Sequence, residues 1–316
     1  MQFKEICVLG GSGFVGSAVV AKLDAAGYAV KVLTRRREAA KHLILLPNVE
    51  VVECDVMDYQ ALNAELRGAE VVINLIGVLH ETRRASFNAM HHQLPAQLAK
   101  ICADLNIKRL LHMSSLGADK NAPSQYLRSK AAGESSVLEF QHRIAITIFK
   151  PSVIFGRCDS FINLFASLIR YLPVMVLVKP DAKFQPIWVE DVASCFVNSI
   201  SKNETYGQVY ALGGPKTYSF RELVKSIMCM LNIKRPIIGL GDRLSYLQAF
   251  MMEWLPGHLL TRDNVRSMEV PSVTNQPFPA VFGIEPSALE AIAPEYLNNR
   301  TQRGAYDRFR SSAARH

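Results

Sequence analysis

The segment 5–156 alternates stretches typical of β-strands with stretches typical of α-helices, and this alternation limits the possible folds more than any other feature. The strand stretches are short, rich in Val, Ile and Leu, and apolar on both faces, as strands are in a parallel sheet covered by helices on both sides. We predict strands at 5–10, 29–34, 49–55, 70–77, 109–115 and 146–156, and helices at 17–27, 58–67, 84–105 and 124–142. The pattern predicts an α/β fold with a doubly wound parallel sheet.

The strand–helix rhythm ends after Gly156, where the sequence becomes irregular and then rich in loops and prolines. We therefore predict a Rossmann core at 1–156 and a smaller, mostly helical C-terminal lobe at 157–300, within which 184–212 returns to the sheet. The last segment, 301–316, carries four arginines and one acid, and is predicted to be a basic, disordered tail. Such a tail either contacts an anionic membrane surface or an acidic partner, or is simply a solvated end.

The bulk composition favours a reducing compartment and argues against a nucleic-acid-binding or membrane-spanning protein. Six cysteines are scattered without a C-x-x-C pair, which predicts buried thiols, no zinc or other metal site, and a cytoplasmic or matrix-like setting. No apolar run reaches the ~20 residues that cross a bilayer, and the strand pattern begins too early to leave room for a signal peptide. The formal charge is +8, but no basic cluster or motif typical of nucleic-acid binding is present.

The stretch CVLGGSGFVGSAVVAKL, which begins at Cys7, joins a strand to a helix through glycines that fit two nucleotide-binding spacings. Gly11-x-Gly13-x-x-Gly16 is the common dinucleotide fingerprint, and Gly10-x-x-Gly13-x-x-Gly16 is a variant of it. In both, glycine lets the backbone turn sharply and approach a diphosphate, and the helix N-terminus offers free N–H groups. The predicted dinucleotide contacts in this loop are Gly10, Ser12, Gly13, Phe14, Val15 and Gly16.

The end of the second predicted strand, KVLTRRRE, indicates which dinucleotide to expect. A site for NAD(H) places an acid there to bond the ribose 2′-hydroxyl, whereas this chain has Thr34 followed by three arginines. A carboxylate would repel a 2′-phosphate and a guanidinium binds one, so we expect NADP(H) in preference to NAD(H). Arg35 or Arg36 is the predicted contact, and the alternative is a solvated basic loop.

The ends of the next two strands predict further cofactor contacts. Asp55 ends the third strand, where an acid commonly reaches the adenine amino group in such folds, and Val56 follows it. Gly77 ends the fourth strand and gives the cofactor close access to the backbone.

A catalytic set is predicted around the fifth strand and the helix after it. Tyr126-x-x-x-Lys130 puts a phenol and an ammonium about one helical turn apart on one face, and Ser115 closes the preceding strand. These residues resemble the Ser–Tyr–Lys set of the short-chain dehydrogenase/reductase superfamily. The resemblance implies that Tyr126 is the acid/base, that Ser115 holds the substrate oxygen, and that Lys130 lowers the phenol pKa from ~10 and bonds the nicotinamide ribose.

Other motifs resemble the extended branch of that superfamily, which contains sugar-nucleotide epimerases and dehydratases. FKPSVIFG is similar to the loop that turns over the nicotinamide, which implies contacts from Pro151, Ser152 and Val153, and Ser114 is a further expected contact. VINLIGVL, LLHMSSLGAD, YLRSKAAGE, FQPIWVEDVA and LPGHLLTRDNV resemble one atypical group, the nucleotide-binding accessory subunit of respiratory complex I and its bacterial relatives. This implies a tightly held, largely structural NADPH, a respiratory-complex partner and peripheral contact with the inner membrane.

One position departs from the superfamily pattern. The active tetrad includes an asparagine on the helix before the serine strand, and His91 stands at that position here. His91 is either a packed polar residue or, since histidine titrates near neutrality, a group that takes a related role.

A second open question concerns apolar residues at near-helical spacing in the predicted lobe. They predict either a lid helix packed on the sheet or an exposed face that meets a protein or a membrane. They are Leu244, Leu247, Phe250, Met251, Trp254 and Leu255.

Two functions therefore remain open from the sequence. In the first, the chain binds NADP(H) mainly as a structural cofactor and serves a respiratory complex or another partner, in a setting related to ubiquinone. In the second, it is an active NADP-dependent oxidoreductase or a sugar-nucleotide epimerase/dehydratase. The second would act on a quinone-related or isoprenoid carbonyl or on a sugar nucleotide.

Overall fold

The computed structural model describes residues 3–82, 85–253 and 260–297. The strands of the main sheet are β1 (Glu5–Leu9), β2 (Ala29–Thr34), β3 (Val49–Glu53), β4 (Val71–Asn74), β5 (Arg109–Met113), β6 (Ala145–Pro151) and β11 (Gln208–Leu212). Short strands are β7 (Ile154–Phe155), β8 (Met175–Leu177), β9 (Lys183–Phe184), β10 (Ile187–Trp188), β12 (Tyr218–Ser219) and β13 (Ile237–Gly239). The α-helices are α1 (Phe14–Ala25), α2 (Tyr59–Glu65), α3 (Leu94–Asp104), α4 (Gln125–Leu138), α5 (Ile162–Tyr171), α6 (Val189–Ser199), α7 (Phe220–Leu231), α8 (Asp242–Met252), α9 (Arg262–Ser267) and α10 (Leu289–Leu297).

The main sheet has seven parallel strands in the order β11-β6-β5-β4-β1-β2-β3. This confirms the predicted doubly wound Rossmann architecture. The chain order reverses between β1 and β4, and ligands of such sheets bind in the crevice beyond the carboxyl ends of the strands at this point. The loop after β1 and the residues after β4 therefore share one crevice.

Helices cover both faces of the sheet, which explains why its strands are apolar on both sides. On one face, α1 and α6 pack onto the sheet through residues such as Val19 and Phe196. On the other face, α2, α3 and α4 do so through residues such as Leu62, Leu98 and Val137. Because both faces of each strand are buried, the strands are apolar at successive positions, and this is the pattern from which the parallel sheet was predicted.

Three predicted elements differ in detail from the structure. The fourth strand ends at Asn74, so that Gly77 lies beyond it in a loop. Most of the helix predicted to reach 105 consists of a π-helical segment, Asn88–Gln93, followed by α3. The last predicted strand is split into β6 and β7, because the chain turns at Ser152.

The C-terminal lobe has its own core, in which aromatic rings from several elements meet. Phe161, Phe165, Phe184 and Phe220 pack with ring centroids 5.0 to 6.0 Å apart. This part of the protein also contains three two-stranded sheets, β7–β10, β8–β13 and β9–β12. Helix α9 contacts α4, and so the lobe reaches the helix that carries Tyr126 and Lys130.

Helix α8 exposes the apolar residues that the sequence left open. Leu244, Leu247, Phe250 and Met251 are 42% to 65% exposed, which contradicts a lid helix packed on the sheet. Trp254 and Leu255, and the predicted tail 301–316, lie outside the described residues. No helix in the described part of the chain is long and apolar enough to cross a bilayer.

The cysteine prediction was partly wrong. Cys7, Cys54, Cys102 and Cys195 are buried, whereas Cys158 and Cys229 are exposed. Cys158 lies in a loop, and Cys229 lies on α7, whose buried residues include Leu223, Val224 and Ile227.

Candidate functional site

The glycine turn after β1 uses the Gly10-x-x-Gly13-x-x-Gly16 spacing. Gly10 has a φ of +78°, in the left-handed region, and its carbonyl oxygen accepts a hydrogen bond from the Gly13 N–H at 3.0 Å. A Cβ on Gly16 would lie 2.1 Å from that same oxygen, so only glycine fits there. Gly11 has another role, because a Cβ there would meet a Val32 methyl at 2.8 Å in the packing of the turn against β2.

The N-terminus of α1 has the properties of a diphosphate site. The helix begins at Phe14 after Gly13, without a capping side chain and without an acid in its first turn. Its first N–H groups and the positive end of its dipole are thus available to an anion. Of the predicted contacts here, Val15 has its side chain buried and can contact a ligand only through its backbone, whereas the Phe14 ring packs at Gly156.

The end of β2 presents arginines to solvent beside a buried hydroxyl. The Thr34 Oγ1 accepts a hydrogen bond from the Arg36 N–H at 3.4 Å and lies 3.4 Å from the Ser12 Oγ. Thr34 therefore links the loop to the glycine turn. Arg35 and Arg36 are exposed and make no ion pair with any described residue, so that both guanidinium groups can meet an anionic ligand.

The predicted contacts after β3 lie near the same crevice edge. Asp55 is exposed, and its Oδ1 accepts a hydrogen bond from the Met57 N–H at 3.0 Å, which orients the carboxylate. The Val56 side chain is buried among the residues of the second core cluster. Asp55 thus offers a polar group there and Val56 an apolar wall.

Lys130 is almost completely buried at the end of the crevice near Gly77 and Met113. Its Nζ donates a hydrogen bond to the Met113 carbonyl oxygen at 2.9 Å. A Cβ on Gly77 would lie 3.6 Å from this Nζ, so the glycine leaves the ammonium accessible from the loop after β4. Burial lowers the pKa of Lys130 to about 8, and the negative charge of Glu134 one turn further along α4 opposes the shift.

Tyr126 lies one turn before Lys130, with its ring packed between two other rings. The ring centroid is 5.8 Å from that of Phe87 and 5.4 Å from that of His91, both in edge-to-face geometry. Burial raises the pKa of Tyr126, and an interaction with the Ser115 hydroxyl partly offsets it. The structure thus brings together the predicted Ser115, Tyr126 and Lys130.

His91 is held as a neutral side chain by its hydrogen bonds. Its Nε2 accepts from the Val78 N–H at 2.9 Å, so the ring proton lies on Nδ1, which is 2.9 Å from the Ser129 Oγ. The Ser129 hydroxyl in turn donates to the Tyr126 carbonyl oxygen at 2.7 Å. Burial, together with the charge of Lys130, lowers the pKa of His91 to about 3, so His91 does not titrate near neutrality.

Two predicted cofactor contacts have their donor groups bonded within the protein. The Ser114 hydroxyl donates to Glu134, and its N–H donates to the Phe149 carbonyl oxygen at 2.7 Å. The Ser152 hydroxyl donates to the Ser272 carbonyl oxygen at 2.6 Å and accepts from the Gln185 N–H at 3.2 Å. Both hydroxyl protons are thus used within the protein, and the cofactor contacts of Ser114 and Ser152 stay predictions.

The neighbours of Ser152 are also engaged through their backbones. The Pro151 carbonyl oxygen accepts from the Leu116 N–H, and the Val153 carbonyl oxygen accepts from the Ile187 N–H, both at 3.0 Å. This segment joins the sheet to the lobe at the crevice.

Sequence reasoning missed three residues of this region. Ser129 links His91 to Tyr126, Glu134 binds both Ser114 and Lys150, and Asp263 contacts the first turn of α4. The i, i+4 spacing of Lys130 and Glu134 on α4 was a visible signal for the second of these. No local pattern marked Asp263, because its partners are far away in the sequence.

A parallel sheet in this order, with a glycine turn at its switch point and adjoining Ser, Tyr and Lys residues, defines a dinucleotide-binding protein of the short-chain dehydrogenase/reductase class. The chain belongs to the NAD dependent epimerase/dehydratase family, whose model matches residues 6–213.

Two relatives match the sequence of this chain over a longer region. The chain is 32% identical to NADH dehydrogenase (ubiquinone) 1 alpha subcomplex subunit 9, mitochondrial, of Mus musculus, over 94% of this chain and 80% of the relative. It is 28% identical to ceramide reductase of Caulobacter vibrioides, over 75% of this chain and 74% of the relative. The expected resemblance to the complex I accessory subunit is thereby confirmed.

Solved structures share the fold. A dTDP-glucose 4,6-dehydratase double mutant from Streptomyces venezuelae, with NAD and DAU bound, matches with a TM-score of 0.75 at 18% identity, over 96% of this chain and 98% of its own. An NADPH-dependent quinone oxidoreductase from Escherichia coli, complexed with NADPH, matches with a TM-score of 0.75 at 16% identity, over 93% and 100%. These structures support a nicotinamide dinucleotide fold without distinguishing NAD from NADP.

Proposed function

We propose that this chain is an NADP(H)-binding accessory protein of a respiratory NADH:quinone oxidoreductase, in which the dinucleotide mainly stabilises the fold and a partner surface. The observation that carries the proposal is His91, which stands where the family's active set has an asparagine. Both of its ring nitrogens are hydrogen-bonded within the protein, to the Val78 N–H and the Ser129 hydroxyl, and burial lowers its pKa to about 3. A histidine held neutral in this way is a poor proton relay near neutrality for the half-buried Tyr126.

The residues at the other end of the crevice support NADP(H) as the ligand. The glycine turn and the N-terminus of α1 fit a diphosphate. Arg35 and Arg36 would hold a 2′-phosphate, since no acid stands at the end of β2 to repel it. Asp55, Gly77 and Lys130 would face the adenine, the nicotinamide half and its ribose.

A bound cofactor can stabilise the folded protein without being turned over, and this is sufficient for such a role. A ligand that binds only the folded state stabilises it by about 2.7 kcal/mol at a hundredfold excess over its dissociation constant. The dinucleotide would connect the loops after β1, β2 and β4. The mitochondrial relative, which matches across most of this chain, supports a respiratory-complex partner. Peripheral membrane contact stays a prediction.

The intact set of Ser115, Tyr126 and Lys130 favours a second candidate, an NADPH-dependent carbonyl reductase. Bound NADPH would supply a hydride to the carbonyl carbon. The Tyr126 phenol would donate its proton to the carbonyl oxygen, and the Ser115 hydroxyl would orient that oxygen. The Lys130 ammonium would then stabilise the phenolate that remains. The ceramide reductase relative supports an amphiphilic carbonyl substrate, and a quinone-related or isoprenoid carbonyl or a sugar nucleotide also fits this class.

The experiment that separates the two candidates measures both occupancy and turnover. Protein purified from native membranes is denatured, and the released nucleotide is identified by mass spectrometry, together with any co-purifying complex subunits. NADPH oxidation is then followed with a panel of carbonyls and quinones, with Tyr126→Phe as the matched variant. Retained NADP(H) without turnover supports the accessory role, whereas turnover that Tyr126→Phe abolishes supports the reductase. A protein that neither retains nor binds added NADP(H) contradicts both.

A further inference from the structure

The first turn of α4, which carries Tyr126, is held by a carboxylate from the other lobe. Asp263 on α9 accepts hydrogen bonds from the Gln125 N–H at 2.7 Å and from the Tyr126 N–H at 3.0 Å. The Ser124 Oγ accepts from the Leu127 N–H at 3.2 Å. The first N–H groups of a helix have no partner within the helix, so Asp263 satisfies two that Ser124 cannot reach.

This carboxylate also provides the only acidic group at that helix end among the described contacts. The first turn of α4 contains no acid of its own. A negative charge at a helix N-terminus is stabilised by the helix dipole. The interaction therefore combines two charge-assisted hydrogen bonds with a favourable charge–dipole contact, between residues 137 positions or more apart.

Asp263 is itself held firmly within the lobe. Thr261 and Asn264 form a capping box at the start of α9. Arg262 donates to Glu253 at the end of α8, through its backbone N–H at 2.6 Å and its Nε at 2.9 Å. The junction of α8 and α9 thus fixes the position of the Asp263 carboxylate.

We propose that Asp263 is a positioning residue through which the C-terminal lobe sets the placement of Tyr126 in the dinucleotide site. This rests on the proposed function for the identity of that site. Tyr126 is the second residue of its helix, and its backbone N–H is one of the two that Asp263 binds. Without the carboxylate, the first turn frays and the phenol moves relative to Ser115, His91 and Lys130.

The motif TRDN, part of a stretch that resembled the accessory-subunit group, acquires a role in this way. Thr261 and Asn264 build the cap, Arg262 fixes the junction, and Asp263 reaches across to α4. Partner contact with the exposed face of α8 would be transmitted to Tyr126 along the same path.

The test compares Asp263→Asn with a matched control, Asp58→Asn. Asp58 also accepts two backbone N–H groups at a helix start, from Gln60 at 2.9 Å and Ala61 at 3.2 Å, but within its own helix α2. Both substitutions remove one carboxylate oxygen and the charge at a helix N-terminus. A merely stabilising contact would therefore give similar losses of thermal stability in both variants and no change at Tyr126.

The readout is the NMR signal of tyrosine labelled at Cζ with carbon-13, with the Tyr126 signal assigned by its loss in Tyr126→Phe. We expect Asp263→Asn to shift or broaden this signal and change its pH titration, Asp263→Glu to restore part of the wild-type signal, and Asp58→Asn to leave it unchanged. An unchanged Tyr126 signal in folded Asp263→Asn, or the same change in Asp58→Asn, overturns the proposal. Spectra recorded with and without NADPH separate the positioning role of Asp263 from the proposed function. A wild-type protein that does not bind NADPH contradicts the proposed function alone, because the Tyr126 signal still tests the role of Asp263.

Discussion

The crevice has two ends, the proposed phosphate end and the proposed nicotinamide end, and they are built in different ways. The phosphate end consists of backbone, with the glycine turn and the start of α1, and of exposed arginines such as Arg36. The nicotinamide end consists of buried side chains that are hydrogen-bonded within the protein, such as Lys130, which donates to the Met113 carbonyl oxygen, and His91, which accepts from the Val78 N–H. The first end presents backbone N–H groups and exposed side chains, whereas the second depends on several elements at once.

This contrast explains why substitutions and changes of pH are expected to affect the two ends differently. A backbone cradle tolerates no added atoms but needs no particular ionisation state. A buried polar network has its pKa values set by burial and by neighbouring charges. The predictions below test the two ends separately.

The largest effect is expected at the glycine turn, from Gly16→Ala. The new Cβ would lie 2.1 Å from the Gly10 carbonyl oxygen, and backbone cannot move aside as a flexible side chain can. Overpacking of this kind costs about 3 kcal/mol or more in unfolding free energy, and NADPH binding should be lost. Gly241→Ala, where the added Cβ has open space, is the control for denaturant unfolding and NADPH fluorescence titration. A folded Gly16→Ala protein that binds NADPH normally would contradict the cradle.

The next effect concerns cofactor choice, and is tested with the double variant Arg35→Ala, Arg36→Ala. Hydrogen bonds to charged groups contribute about 1.5 to 3 kcal/mol, and exposure places these at the lower end, so NADPH affinity should fall roughly tenfold or more. NADH affinity should change little, because NADH has no 2′-phosphate. Calorimetry with both dinucleotides measures this, and Arg67→Ala is the control for loss of an exposed arginine. Equal losses for the two dinucleotides would show that the arginines do not read the 2′-phosphate.

A smaller effect is expected at the nicotinamide end, in the pH dependence of stability. Burial lowers the pKa of Lys130 from an ordinary 10.5 to about 8, so the folded protein releases this proton first. Between pH 8 and pH 10 the unfolded state binds more protons, and stability from this group rises with pH by up to about 1 kcal/mol per unit. The penalty of burying the charge is fully present below pH 8.

Lys130→Met removes the titrating group, so a comparison with the wild type isolates the contribution of Lys130 to the pH dependence of stability. The unfolding free energy of the cofactor-free wild type, minus that of the variant, should rise between pH 8 and pH 10. The raised pKa of Tyr126 acts in the opposite direction only above its ordinary value near pH 10, outside this window. A difference that stays flat with pH would mean that Lys130 is solvated in the folded protein.

The smallest effect on stability is expected on the exposed face of α8. Leu247 is 53% exposed, and Leu247→Glu should change the unfolding free energy by less than about 0.5 kcal/mol, as surface substitutions usually do. If the face meets a partner or a membrane, the same change should reduce co-sedimentation with native membranes. Ala249→Ser, on the buried side of α8, is expected to show the reverse pattern.

The phosphate end could be predicted from sequence because its chemistry is local. Gly10, Gly13 and Gly16 lie within one short turn after a strand, and the motif alone indicates the crevice. The choice between the two glycine spacings could not be made from the sequence. It depended on the positive φ of Gly10 and on the close approach of Gly10 to the Leu75 backbone after β4, which is a tertiary contact.

The nicotinamide end was predicted only in part, for the same reason. Tyr126 and Lys130 share a helix, so their spacing was visible, but the neutral state of His91 follows from its bond to Val78 in another loop. Ser114 and Ser152 are predicted at the cofactor, and no sequence pattern indicated that their hydroxyl groups donate to Glu134 and to the Ser272 carbonyl oxygen. Sequence spacing cannot show which way a serine hydroxyl turns when its partners come from distant elements.

A crystal structure of the complex with NADPH tests the central claim most directly. The account predicts the diphosphate at the N-terminus of α1, the 2′-phosphate within hydrogen-bonding distance of Arg35 or Arg36, and the nicotinamide beside Tyr126 and Lys130. A dinucleotide bound elsewhere, or a nicotinamide ring out of reach of the Tyr126 hydroxyl, would contradict it.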